Sequence, residues 1–402
     1  MSFFPRPAAK TERDRPARAF YAGRDLARAQ TIGDLRAMAM RRLPRFSAEY
    51  LEGGAEEEIT MRRNRAAFDA HVFKPRVIRD VSKRDLSRCV LGQTRALPFA
   101  IGPTGFNGLL WDQGDHVLAR AAAKAGIPFS QSTTSNRSVE AFGDIPSLAH
   151  WFQLYLFGDD MIFPQIIAAA DRAQCEALIV TVDSPVLGNR EWDRRNYRLG
   201  LDLSLSAKLN MLMHPGWMAR ILKNGFPPFP NLEPFVPEAD RNLFGVARWC
   251  AKHHRSAISW DNIATIRRLW PRKLIIKGVQ HEEDLRLCIE AGADGIVLSN
   301  HGGRQLDRAV APVELIAPAR AQAGPDFTIL VDSGFRRGTE IVQALALGAD
   351  AVLLGRATLY GLAAGGEAGV ARAIDILATE IDRTIGMLGL TSVDQLGPQV
   401  FA

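Results

Sequence analysis

Long apolar runs are missing from this sequence of 402 residues. No stretch approaches the roughly 20 residues that a bilayer-spanning helix needs, which excludes that class of membrane protein. The opening MSFFPRPAAKTERDRPARAF has no apolar h-region, so no secretory signal is expected. Cysteine is scarce, and Cys89, Cys175, Cys250 and Cys288 show neither CxxC nor Cys/His ligand spacing. This argues against a disulfide framework and a metal site, and predicts buried thiols in a reducing, cytoplasmic compartment. An excess of one charge is also lacking: 50 Lys and Arg against 44 Asp and Glu leave +6. Without a nucleic-acid motif or a concentrated basic face, no nucleic-acid partner is expected. The small excess suits an anionic ligand or an acidic membrane surface.

Alternation is what the chain has in abundance. Short apolar runs appear at 98–103, 128–133, 150–155, 177–183, 273–278, 294–299, 328–332 and 350–355. Helical patterns fill most gaps between them, at 115–124, 159–173, 261–269, 282–290, 312–321 and 338–347. The pattern predicts an α/β fold, a (β/α)8 TIM barrel. The doubly wound alternative lacks its glycine-rich dinucleotide turn after the first strand. Residues 1–30, rich in Arg and Pro, are read as a mobile basic arm ahead of one domain over 31–402. That domain opens with an N-terminal helical extension, broken at Pro44 and stopped by Gly53-Gly54. A long insertion after strand 4, about 190–259, exceeds an ordinary βα connection. Its Leu205, Leu209, Leu212, Trp217, Ile221 and Leu222 are interspersed with Lys208, Arg220 and Lys223. The insertion reads either as an active-site lid or as a basic, apolar patch resting on a membrane.

In a parallel barrel the C-terminal strand tips carry the chemistry. Here every tip is polar or glycine: Pro103-Thr104-Gly105, Ser132, Gln153 with Tyr155, and Thr181 with Asp183. The series continues with Lys277, Ser299 with His301, Asp332-Ser333-Gly334, and Gly355-Arg356. His301 can take a proton near neutral pH, and Arg304 offers a planar fork for a carboxylate. A base beside such a clamp points to proton abstraction from a small organic acid. The competing structural reading has His301 capping a helix and Arg304 paired with Asp307. Lys277 ends an apolar strand, where an unpaired cation is rare. Asp183 ends another, where an acid near His301 would orient its ring and raise its pKa. Arg336 and Arg356, each among glycines after the last two strands, mark a phosphate cradle.

SNHGGRQLD from Ser299, DSGFRRG from Asp332 and the order of the strand tips resemble the FMN-dependent L-2-hydroxy acid oxidases and dehydrogenases. The resemblance runs from about Tyr50 to Tyr360 apart from the insertion. IGPTGFNG from Ile101 and LGRATLYGLAA from Leu354 are most similar to its mandelate dehydrogenase branch. It implies an FMN cofactor and oxidation of an L-2-hydroxy acid to the 2-keto acid. His301 is then the base paired with Asp183, and Arg190 and Arg304 clamp the substrate carboxylate. Tyr50 and Tyr155 hydrogen-bond the substrate, and Lys277 lies near flavin N1 with Ser299 in the cofactor set. Ser132, Gln153 and Thr181 meet the flavin edge, and Pro103, Thr104 and Gly105 back the ring. Asp332 holds the ribityl chain, while Gly334, Arg336, Gly355 and Arg356 hold the phosphate.

Gly105 stands where other members often carry Ala, and Thr134 where glycolate oxidases tend to have an aromatic. Both substitutions point to a bulkier, aromatic substrate such as mandelate, with lactate as the alternative. The resemblance turns the insertion toward peripheral membrane contact, at the inner face of the cytoplasmic membrane, and the acceptor toward a quinone. A lid would make oxygen the acceptor instead. A homotetramer is the expected assembly. Other FMN barrels would share the phosphate site but lack the His301, Arg304 and Arg190 set, and a non-catalytic binding barrel would bind FMN without being reduced.

Overall fold

A computed structural model describes residues 19–197 and 203–402. The helical extension is α1 (Ile32–Arg42), α2 (Arg45–Glu52) and α3 (Ile59–Ala66). Thr31 and Asp34 cap α1 reciprocally, and the chain breaks at Pro44 as its missing N–H requires. Asp34 also accepts from the Tyr21 amide at 2.7 Å, and Ala29 is fully buried. The expected arm is therefore docked over residues 19–30, while 1–18 lie outside the described residues.

A hairpin, β1 (Arg88–Val90) and β2 (Gln93–Arg95), precedes a closed barrel of eight parallel strands. These are β3 (Phe99–Thr104), β4 (Phe129–Ser132), β5 (His150–Leu154), β6 (Ala177–Thr181), β7 (Lys273–Val279), β8 (Gly295–Leu298), β9 (Thr328–Val331) and β10 (Ala351–Leu354). Val352 pairs with Phe99 to close the ring. Every expected apolar run is a strand, because a sheet covered on both faces needs near-continuous apolar sequence. Alternation then sorts the two faces. Trp151 fills the barrel interior with Ile179, Ile275, Val297, Leu330 and Leu353, while Phe152 and Leu154 face the helices. Val90 and Leu91 of the hairpin join the inner cluster and stopper the barrel.

The outer helices are α4 (Gly114–Lys124), α5 (Ile162–Arg172), and, beyond the insertion, α10 (Trp260–Leu269), α11 (Glu282–Glu290), α12 (Ile316–Ala323), α13 (Gly338–Ala346) and α14 (Arg356–Met387). α14 kinks at Gly365-Gly366, where Gly366 has φ +59° and a side chain would strike Trp111. The insertion between β6 and β7 carries α6 (Glu191–Arg195), α7 (Leu205–Leu212), α8 (Pro215–Asn224) and α9 (Leu243–His253). The expectation of buried thiols holds for Cys175 and Cys288, whereas Cys89 is exposed on β1 and Cys250 is half-buried.

Candidate active site

The strand tips open on one cavity of about 700 Å³. Pro103, Thr104, Gly105, Ser132, Tyr155, Lys277, His301, Asp332, Gly334, Gly355 and Arg356 line it. Gln153, Thr181, Asp183 and Ser299 lie behind that lining, hydrogen-bonded to it or to one another. His301 stands at φ +58°, a left-handed conformation that a non-glycine residue adopts at a cost. That turn presents its ring between two partners. Nδ1 lies 2.9 Å from Asp183 Oδ1, and Nε2 lies 3.3 Å from the Tyr155 hydroxyl. A carboxylate only accepts, so Asp183 keeps the proton on Nδ1 and leaves the Nε2 lone pair toward the cavity. Burial pushes Asp183 up, but His301 and Lys277 outweigh it and hold it at about 2. Burial lowers His301, with Asp183 opposing. At neutral pH the pair is thus a carboxylate and a neutral imidazole, the form in which His301 accepts a proton. Burial also raises the Tyr155 phenol, which stays protonated.

The structural alternative for Arg304 fails. Asp307 accepts from the Ile59 and Thr60 amides and caps α3. Arg304 turns the other way, donating through Nη1 to Tyr50 O and Gly53 O at 2.7 Å each, with its guanidinium over the Tyr50 ring. Its nearest acid is Asp193, Nη2 to Oδ2 at 3.6 Å. Arg190 donates to Arg304 O and Gln305 Oε1, and burial beside Arg304 lowers its pKa. Two half-buried guanidiniums face one cavity, and Asp193 of α6 is the carboxylate beside them. Asp193 Oδ1 is buried with no hydrogen-bond partner among the described residues. Burial raises its pKa against the pull of Arg304 and Arg190. Sequence reading missed Asp193 and Gln305. Asp193 lies on the short helix α6 of the insertion, in Arg190-Glu191-Trp192-Asp193, and nothing local marks it as facing inward.

Lys277 Nζ donates to Ser299 Oγ at 2.8 Å and pairs with Asp332 at 2.9 Å, leaving one N–H for a ligand. Ser132, Gln153 and Thr181 form a hydrogen-bonded row across the tips of β4, β5 and β6. Arg336 donates only to its neighbour's carbonyl, Phe335 O, among the described contacts of its guanidinium. Arg356 instead braces the extension through Leu51 O, Gly53 O and Gly302 O, and burial lowers it to about 10. A side chain at Gly355 would meet only Thr104 Cγ2, at 3.9 Å, so that backbone is open to a ligand. A polar edge, a buried cation and an open glycine beside arginine at the start of a helix fit a phosphorylated flavin.

Two expectations change in detail. Space beside Gly105 is not open: a methyl there would lie 2.1 Å from Thr134 Oγ1, so the threonine fills what the glycine vacates. Tyr50 directs its hydroxyl to Gly105 O at 3.3 Å in this structure. The insertion also walls the cavity, through Leu243, Phe244, Ala247 and His254. The cavity wall and the exposed apolar surface are therefore different parts of one insertion, α9 and α7–α8.

The sequence matches the model of the FMN-dependent dehydrogenase family over residues 39–402. The chain belongs to that family, and FMN is its cofactor. It is 44% identical over 369 residues to (S)-mandelate dehydrogenase of Pseudomonas putida, covering 91% of this chain and 92% of that protein. A putative L-lactate dehydrogenase of Mycobacterium tuberculosis is 42% identical, covering 94% and 90%. The crystal structure of the monotopic membrane protein (S)-mandelate dehydrogenase superposes with a TM-score of 0.89 at 42% identity, covering 93% of this chain and 99% of that one.

Proposed function

We propose that this FMN-dependent dehydrogenase oxidises an aromatic L-2-hydroxy acid, of the (S)-mandelate type, to the 2-keto acid and passes the electrons to a quinone. The observation that carries this reading is the His301–Asp183 pair facing the same cavity as Arg190 and Arg304. Phe106, Phe157, Leu243 and Phe244 wall that cavity and suit an aromatic side chain better than a methyl. Arg190 and Arg304 bind the substrate carboxylate, which fixes the hydroxyl-bearing carbon. His301 takes a proton at Nε2, and Asp183 holds the imidazolium that forms. Tyr155 donates to the substrate oxygen. FMN, when bound, would supply the acceptor for the two electrons and the remaining proton of the oxidation. Lys277 would help to hold the flavin ring and would supply a positive charge able to stabilise its reduced form.

Peripheral membrane contact completes the reading. Leu205, Leu209, Leu212, Met213 and Leu222 on or beside α7 and α8 are each more than half exposed. No described helix is long and apolar enough to cross a membrane. An amphipathic surface of this kind lies on a bilayer rather than through it.

Anaerobic bleaching of the bound flavin by mandelate, lactate, glycolate and a long-chain 2-hydroxy acid tests the substrate. Mandelate bleaching fastest is the expected result. Preference for lactate or glycolate removes the aromatic assignment, and no bleaching by any acid removes the reaction.

A further inference from the structure

A second cavity, of about 360 Å³, shares the β3–α4 loop with the active site. Leu109 of that loop faces the active-site cavity, while Trp111 lines the second one. Its other walls include Arg137, the α8 residues Trp217, Arg220 and Ile221, and Pro227. Residues 217, 220 and 221 share one helix face, as their spacing requires.

The cations in this cavity are unsatisfied. Arg220 lies over the Trp111 ring at 4.5 Å, and Arg42 lies over the same ring at 5.3 Å. Arg42 donates to Ala364 O, whereas no hydrogen bond or ion pair to the Arg220 guanidinium is found among the described residues. Arg137 Nε is buried without a partner among the described residues. Asp112 is the single acid in the lining, and it makes no ion pair with either arginine among the described residues. Burial lowers the Arg220 pKa, Arg42 adds to the effect, and Asp112 opposes it. Half-buried guanidiniums lacking an anion are costly unless a ligand supplies one.

The surroundings favour one kind of anion. Leu222 on α8, Leu212 and Met213 just before it, and Phe226 just after it are exposed apolar side chains. A free ion has no use for such a band, but an amphiphile does. We propose that the cavity holds the phosphate of an anionic phospholipid between Arg137 and Arg220, with the acyl chains on the apolar band. This rests on the membrane reading above, and it turns a non-specific surface contact into a site with headgroup selectivity.

Calorimetry on the FMN-loaded enzyme tests it, using dihexanoyl phosphatidylglycerol below its micelle concentration. Saturable binding is expected, about tenfold or more weaker for dihexanoyl phosphatidylcholine and for inorganic phosphate. Arg137→Gln/Arg220→Gln should weaken phosphatidylglycerol binding by a similar factor, with turnover on a soluble acceptor unchanged. Arg220→Gln alone serves if the double variant does not fold. Lys208→Gln/Lys223→Gln, at exposed positions nearby, should leave binding intact. Equal binding of phosphatidylcholine, an effect confined to the lysine pair, or no binding would overturn the proposal. Inorganic phosphate binding as tightly as the lipid would assign the cavity to free phosphate. Saturable lipid binding without sedimentation on phosphatidylglycerol vesicles would keep this site and remove the membrane reading.

Discussion

Arg304 and Asp193 face each other at 3.6 Å across the mouth of the carboxylate clamp. Arg304 is already anchored by two backbone carbonyls, Tyr50 O and Gly53 O, so its position does not depend on the acid. What Asp193 adds is a negative charge that competes with the substrate carboxylate. Its raised pKa means that the competition strengthens as pH climbs through that value. Asp193→Asn should therefore lower KM several-fold above it, with less change in kcat, and flatten the rise of KM with pH. A KM that increases in this variant would make Asp193 a positioning residue for the guanidinium instead.

His301 must be neutral to act as a base, and its pKa lies below the ordinary histidine value. Activity should be lost as pH falls through that depressed pKa and be flat above it. Asp183 opposes the depression, so Asp183→Asn should move the acid limb of kcat/KM to still lower pH while reducing kcat. His301→Gln should retain FMN and lose about 10²–10⁴-fold in turnover. Substantial residual turnover would take the base role from His301.

Lys277 and Asp332 form a buried pair, and removing one member strands the other. Lys277→Met should cost about 3–5 kcal/mol and loosen the flavin. Melting temperature and flavin released on dilution are the readouts. Burial alone would lower the Lys277 pKa, but Asp332 and Asp183 raise it overall. The pair's contribution is thus complete below the unfolded lysine value of about 10.4 and lost as pH rises through the higher folded one. Alkaline unfolding should shift to lower pH in Asp332→Asn.

Gly105 and Thr134 are complementary in volume. Gly105→Ala forces the threonine hydroxyl away from Ser132, its partner at 3.0 Å, at a cost of roughly 1–3 kcal/mol. Thr134→Ala in the same chain should recover most of that loss. Additive effects of the two changes, measured by denaturant unfolding, would show that the contact is relaxed elsewhere.

Eight apolar runs with polar tips determined the barrel and most of the residues that gather at one cavity. Strand alternation and buried faces are local consequences of side-chain period, and the chemistry of a parallel barrel collects at one end. The phosphate-side glycines, Lys277, Asp183 and His301 were legible for that reason. The His301–Asp183 pairing was expected from sequence as well, but the partners of Arg304 and Gly105 came only with the tertiary structure. Asp307 lies three residues from Arg304 in sequence yet caps α3, while Asp193, more than a hundred residues away, faces the clamp. The Thr134 side chain fills the gap at Gly105, and α9 of the insertion walls the cavity that α7 and α8 leave. Charge pairing and packing depend on where loops fold back in space, and no sequence period encodes that return.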